Sequence, residues 1–103
     1  MDMLSQFTQW VNKQSAIAKQ QGFMIEINIH ESYFTQIFLD NDEFIAEITF
    51  WKNYNLFHVE ILSTCSEEHL YINSGEYDPN IKFSDFFSDF LERLQLKNEY
   101  DFN

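Results

Sequence analysis

One cysteine, Cys65, is too few for a disulfide within the chain, and two glycines and a single proline leave little material for linkers or long loops. Gly22 and Gly75 stand alone, so neither belongs to the glycine-rich loop that cradles phosphates in nucleotide-binding proteins. No stretch approaches the roughly 20 apolar residues that a membrane-spanning helix needs. The opening MDMLSQFTQW has neither a basic start nor an apolar run, and the expected location is the cytoplasm. Positive charge is also scarce: six Lys and Arg stand against seventeen Asp and Glu, a formal net charge of −11. That balance disfavours phosphate backbones and anionic membranes as partners and favours basic proteins.

What the sequence has in quantity is apolar and aromatic side chains. Hydrophobic residues make up 45% of the 103 positions, and twelve of them are Phe. A highly charged chain without such residues would stay disordered, but this one can bury a core. The length suits a single domain over residues 1–103, and no repeat, low-complexity tract or shift of composition marks a second one.

Periodicity orders the elements. Leu4, Phe7, Val11 and Ala18, with Trp10 and Ile17 beside them, recur at helical spacing, and Gly22 falls where a helix terminates with positive φ. From Phe23 the period changes to two: Phe23, Ile25, Ile27 and Ile29 alternate with Met24, Glu26, Asn28 and His30, as in a strand with one buried face. Further strands are expected at about Tyr33–Asp40, Phe44–Trp51 and Leu56–Leu62, with a short fifth around His69–Asn73. Phe83, Phe86, Phe87, Phe90, Leu91 and Leu94 then describe one amphipathic helix, with Ser84 as its N-cap and Arg93 and Lys97 toward its end. The expected fold is α+β: an N-terminal helix, an antiparallel meander of four or five strands and a C-terminal amphipathic helix, both helices packed on one face of the sheet.

If Lys52–Asn55 form the loop between the third and fourth strands, Phe50 faces Phe57, Ile48 faces Val59, and every core residue meets another. The same register sets Glu47 opposite Glu60 on the outer face, where facing like charges are destabilising. A local rule broken in this way points to function. Trp51 and His58 lie beside this pair, and Ile45, Leu56 and Leu62 border it, a composition suited to gripping a Lys or Arg side chain. The acidic turn Asp40, Asp42 and Glu43 is a second candidate surface.

Catalytic machinery is not expected. Cys65 has no cationic neighbour to lower its pKa. His30, His58 and His69 fall on separate strands without the spacing of a zinc site, and the run from Asp40 to Glu43 lacks the Gly and the distal Glu of a calcium loop. No cofactor, metal or nucleic-acid ligand is expected either, since Lys52 alone makes no basic track beside Trp51.

The chain resembles the TriTu-type immunity proteins of bacterial polymorphic-toxin and contact-dependent growth inhibition systems. The resemblance spans about residues 7–95 and is carried by Phe7, Trp10 and Val11, by Gly22 and Phe23, by the string from Phe44 to Trp51 with Val59 to Leu62, and by the closing amphipathic helix. The family pattern has a glycine shortly after the hairpin tryptophan; this chain has Asn53, Tyr54 and Asn55 there, and Asn tolerates positive φ. The resemblance implies a protein that binds one cognate toxin domain and blocks it, with no catalytic residues. Combined with the acidity, it makes the expected partner a basic nuclease, an RNase ahead of a DNase, bound by a monomer or weak dimer through Glu47, Trp51, His58, Glu60, Asp40, Asp42 and Glu43. The alternative is an acidic secretion chaperone or adaptor that holds a basic effector without inhibiting it.

Overall fold

A computed structural model of the chain describes residues 2–66 and 68–96. Helix α1 (Met3–Gln20) begins at Asp2, whose side chain accepts the Ser5 N–H at 2.8 Å. That bond holds the Asp2 carboxyl below the usual carboxylate range, so the cap supports the helix above the ordinary carboxylate pKa and weakens as the pH falls through the lowered one. One stripe of α1, including Leu4, Phe7, Trp10, Val11 and Ala18, is buried. The helix ends as its sequence predicts. Gly22 has φ +94°, its N–H donates to Lys19 O at 3.1 Å, and the Phe23 N–H donates to Ala18 O at 3.0 Å. This is a Schellman closure, with buried Ala18 and Phe23 as its apolar pair.

Five antiparallel strands follow in sequence order: β1 (Met24–His30), β2 (Phe34–Asp40), β3 (Phe44–Trp51), β4 (Leu56–Ser63) and β5 (His69–Glu76). The expected register is found: Phe50 pairs with Phe57, Ile48 with Val59 and Glu47 with Glu60. The fifth strand forms and runs three residues beyond the expected Asn73, through Gly75 to Glu76, paired with Leu56. It extends because Asn73 and Gly75 stand opposite Val59 and Phe57, where backbone pairing to a buried strand outweighs their weak strand preference.

Both helical segments lie on the same sheet face, over Ile37, Leu39, Ala46, Ile48, Phe50, Phe57, Val59 and Ile61. Phe7 is fully buried at the middle of this layer, stacked on Phe50 at 4.9 Å and edge-on to Phe83 at 5.5 Å. The core-facing hydroxyl of Thr35 is satisfied by Thr8 of α1, 2.6 Å away.

The C-terminal segment differs from the single helix read from the sequence. It is two short helices, α2 (Phe83–Phe86) and α3 (Ser88–Arg93), with Phe87 between them at φ −100° and ψ 18°. The rings of Phe86 and Phe87 on either side of the junction both meet Phe57 edge-on, at 5.1 and 5.4 Å. Ser84 is not the N-cap. Its hydroxyl is buried and accepts the Trp10 Nε1–H at 2.8 Å, and Lys82 occupies the cap position without a side-chain cap bond. Arg93 sits in the last turn of α3 as expected; Lys97 and the tail lie outside the described residues. No helix among the described residues is long and apolar enough to cross a membrane.

One buried polar side chain is unexplained by the packing. Gln14 is 4% exposed, and neither atom of its amide has a hydrogen-bond partner among the described residues. Gln14→Met keeps the length of the side chain and removes the amide. It is expected to raise unfolding stability by about 1–2 kcal/mol, seen as a higher urea midpoint at unchanged m.

Candidate functional site

The second face of the sheet is covered by no described element. Strand alternation decides what it carries: Glu26 from β1, Asp40 from β2, Glu47 from β3, Glu60 from β4 and Glu76 from β5 all share it, with Glu47 and Glu60 directly paired and Asp40 and Glu76 toward opposite ends. None of the five strands contains a Lys or Arg. Apolar residues stand around these acids, with Met24, Ile45, Trp51, Leu56 and Ile72 all exposed and Phe34, Phe38 and Leu62 half-buried.

At the centre, Glu47 and Glu60 face each other across β3 and β4. The repulsion that the sequence leaves unanswered is answered by neighbours. Nε2 of His58 lies 3.2 Å from one Glu60 oxygen and Nδ1 of His69 lies 3.0 Å from the other. Glu47 accepts a bond of 3.2 Å from the Gln36 side-chain N–H, and the same amide nitrogen donates to Thr49 Oγ1 at 3.0 Å. Beside the pair is a small hollow of about 50 Å³ lined by Phe38, Ile45, Ala46, Glu47, Glu60 and Leu62. An apolar wall with two carboxylates at its rim fits the methylene stem and charged head of a Lys or Arg.

The sheet thus brings Glu47, His58 and Glu60 together. Trp51 is set apart at the β3–β4 loop end of the same face, 38% exposed and opposite Phe34. The acidic turn is at the other end. Asp40 pairs with Ile45 and Met24, and Asp42 and Glu43 form the β2–β3 turn. Asn41 fastens that turn by accepting the Glu43 and Phe44 N–H groups at 2.9 and 2.7 Å, and Thr64 donates to Asp42 O at 2.5 Å. The three carboxylate residues of the turn are exposed. Cys65 is exposed and free.

Gln36 and His69 also belong to the central network, though the sequence marks neither as a partner of the acidic pair. Gln36 is placed by the β2–β3 register, opposite Thr49. His69 reaches Glu60 because a bulge between Ile61 and Leu62 puts it across from Leu62 while Tyr71 pairs with Ile61. Neither placement has a signal in spacing along the chain. Strand pairing also gathers possible metal ligands that spacing does not show: the ligand atoms of Glu47, His58 and Glu60 lie within 4.8 Å of one another. Their type suits a divalent cation, but the same atoms are already satisfied by one another and by Gln36 and His69.

No curated protein matches the sequence. The family model of the immunity protein TriTu matches residues 5–93. That span begins in the first turn of α1, takes in every strand and ends with α3, and it contains Phe7, Trp10, Gly22 and the whole β3–β4 hairpin. With helix, five-stranded meander and closing helices all inside the matched region, the chain belongs to the TriTu family of immunity proteins, and its role is immunity.

Proposed function

We propose that the protein neutralises its cognate toxin by laying the open sheet face over the toxin's active site, and that the toxin is a basic nuclease, an RNase in preference to a DNase, met in the cytoplasm. The observation that carries this reading is a sheet face with five carboxylates, no Lys or Arg and exposed apolar residues around them. An enzyme that binds a polyphosphate substrate must present a cationic cleft, and a rigid anionic face with apolar grips competes for that cleft. Opposite potentials also speed encounter, toward 10⁸ to 10⁹ M⁻¹s⁻¹ at low salt, which suits an inhibitor that has to act before damage is done.

Glu47 and Glu60 take the toxin's central cation with His58 beside them; Trp51 contacts the toxin at the β3–β4 loop end of the same face, and the acidic turn Asp40, Asp42 and Glu43 at its other margin. Nothing in this arrangement requires a covalent step. Titration of purified toxin activity with this protein is therefore expected to reach its endpoint near one molecule per toxin. One molecule silencing many toxin molecules would overturn occlusion.

A further inference from the structure

The loop joining β3 to β4 is held in shape by backbone bonds at its two ends. Lys52 N–H donates to Tyr33 O of the adjacent β1–β2 turn at 2.8 Å, and Asn55 O accepts the Tyr77 N–H at 2.8 Å. Between these anchors the chain turns left-handed, with φ +62° at Tyr54 and +50° at Asn55. Asparagine visits this region at little cost, because its short polar side chain bonds locally. A tyrosine does so only against the clash of Cβ with the backbone carbonyl.

The backbone bonds at the loop's ends hold the strained turn, but the Tyr54 side chain contributes nothing to offset it. Tyr54 is 80% exposed, and among the described residues its ring and hydroxyl make no hydrogen bond or ring contact. A residue that weakens the folded state while contributing nothing to its packing is one whose use lies outside the chain. Its neighbours are of the same kind. Tyr33, in the turn tied to this loop, is 62% exposed, and Trp51 and Leu56 flank the hairpin at 38% and 41%. Tyr and Trp are enriched among the few residues that carry most of the binding energy at protein interfaces.

We infer that this loop end, with Tyr54 as anchor and Tyr33 and Trp51 beside it, is a contact site for a Lys- or Arg-bearing surface of the cognate toxin, the rings packing against cationic side chains. The inference rests on the immunity reading and extends its docking face beyond Glu47 and Glu60 toward the β3–β4 loop and away from the acidic turn. Charge favours this occupant: the molecule carries −11, and Glu31 and Glu76, in the turn and at the strand end on either side, outnumber the loop's one cation, Lys52.

The test measures two quantities that should move in opposite directions. Tyr54→Gly and Tyr54→Asn both accept the left-handed backbone, and each is expected to raise Tm by about 3–5 °C while weakening calorimetric binding of the purified, catalytically inactivated toxin domain by about 10- to 100-fold. The Asn variant separates loss of the ring from the added flexibility of glycine. If both variants bind like the unaltered protein, the contact site is wrong and the immunity reading stands. If the unaltered protein itself does not bind the toxin domain, both fall. A Tm that stays level or drops in both variants removes the strain argument and overturns the inference.

Discussion

Reversing the two facing carboxylates, Glu47→Lys with Glu60→Lys, is expected to weaken toxin binding by at least about 2 kcal/mol, or roughly 30-fold, with the protein still folded. The reasoning is local. The two side chains help line a small hollow on the open face, and they face each other directly. A toxin cation seated there would meet two like charges after the change. His58 and His69 would lose the Glu60 oxygens that they contact, and Gln36 would lose its Glu47 acceptor, so some stability is surrendered too. The milder pair Glu47→Gln with Glu60→Gln keeps the shape and most of the hydrogen bonds and should lose a smaller part of the affinity. Calorimetry on both pairs, with thermal unfolding alongside, checks the result. Unchanged affinity in folded charge-reversed protein would move the contact away from the sheet centre, with the acidic turn at Asp40, Asp42 and Glu43 the next place to look.

The largest stability effect is expected at Phe7→Ala. Phe7 has no exposed surface and touches rings from three directions: Phe50 of β3, Trp10 one turn along α1, and Phe83 and Phe87 of the closing helices. Removing the ring leaves a cavity where the two helical segments and the sheet meet, with a loss of about 3–5 kcal/mol. Against a total of about 5–15 kcal/mol for a domain of this kind, that leaves a marginal fold. Tm should fall by on the order of 20 °C. Met24→Ala, at a residue 78% exposed on the edge strand, serves as the comparison and should change stability by less than about 0.5 kcal/mol. The effect reaches the open face as well, because Phe50 sits between Thr49 and Trp51, whose side chains point to the opposite side of the sheet.

The sheet was legible in the sequence because its period is two and its core face is unmixed. Ala46, Ile48 and Phe50 have a single register that sets them against Ile61, Val59 and Phe57 of β4, and a slip by one residue would expose all of them. The same logic sets Glu47 opposite Glu60. Elements whose shape depends on contacts distant in sequence were not legible. Ser84 reads as a cap until Trp10, 74 residues earlier, claims its hydroxyl. The helical spacing of the surrounding Phe residues conceals the break at Phe87, whose ring packs on Phe57 across the core. The partners of the acidic pair were hidden for a related reason: Gln36 depends on pairing between β2 and β3, and His69 on a bulge in the strand that the sequence signals most weakly. At the β3–β4 loop, Asn55 adopts positive φ as its residue type allows, while Tyr54 does so against its type.

The central claim, that immunity is exerted through the open acidic face, is tested most directly by growth of cells that produce the active toxin domain together with this protein. The unaltered chain should restore growth, and the Glu47→Lys, Glu60→Lys protein, shown by its unfolding transition to be folded and present at equal level, should fail to. Equal protection by both would contradict the account, because the toxin would then be neutralised without the face on which the whole reading rests.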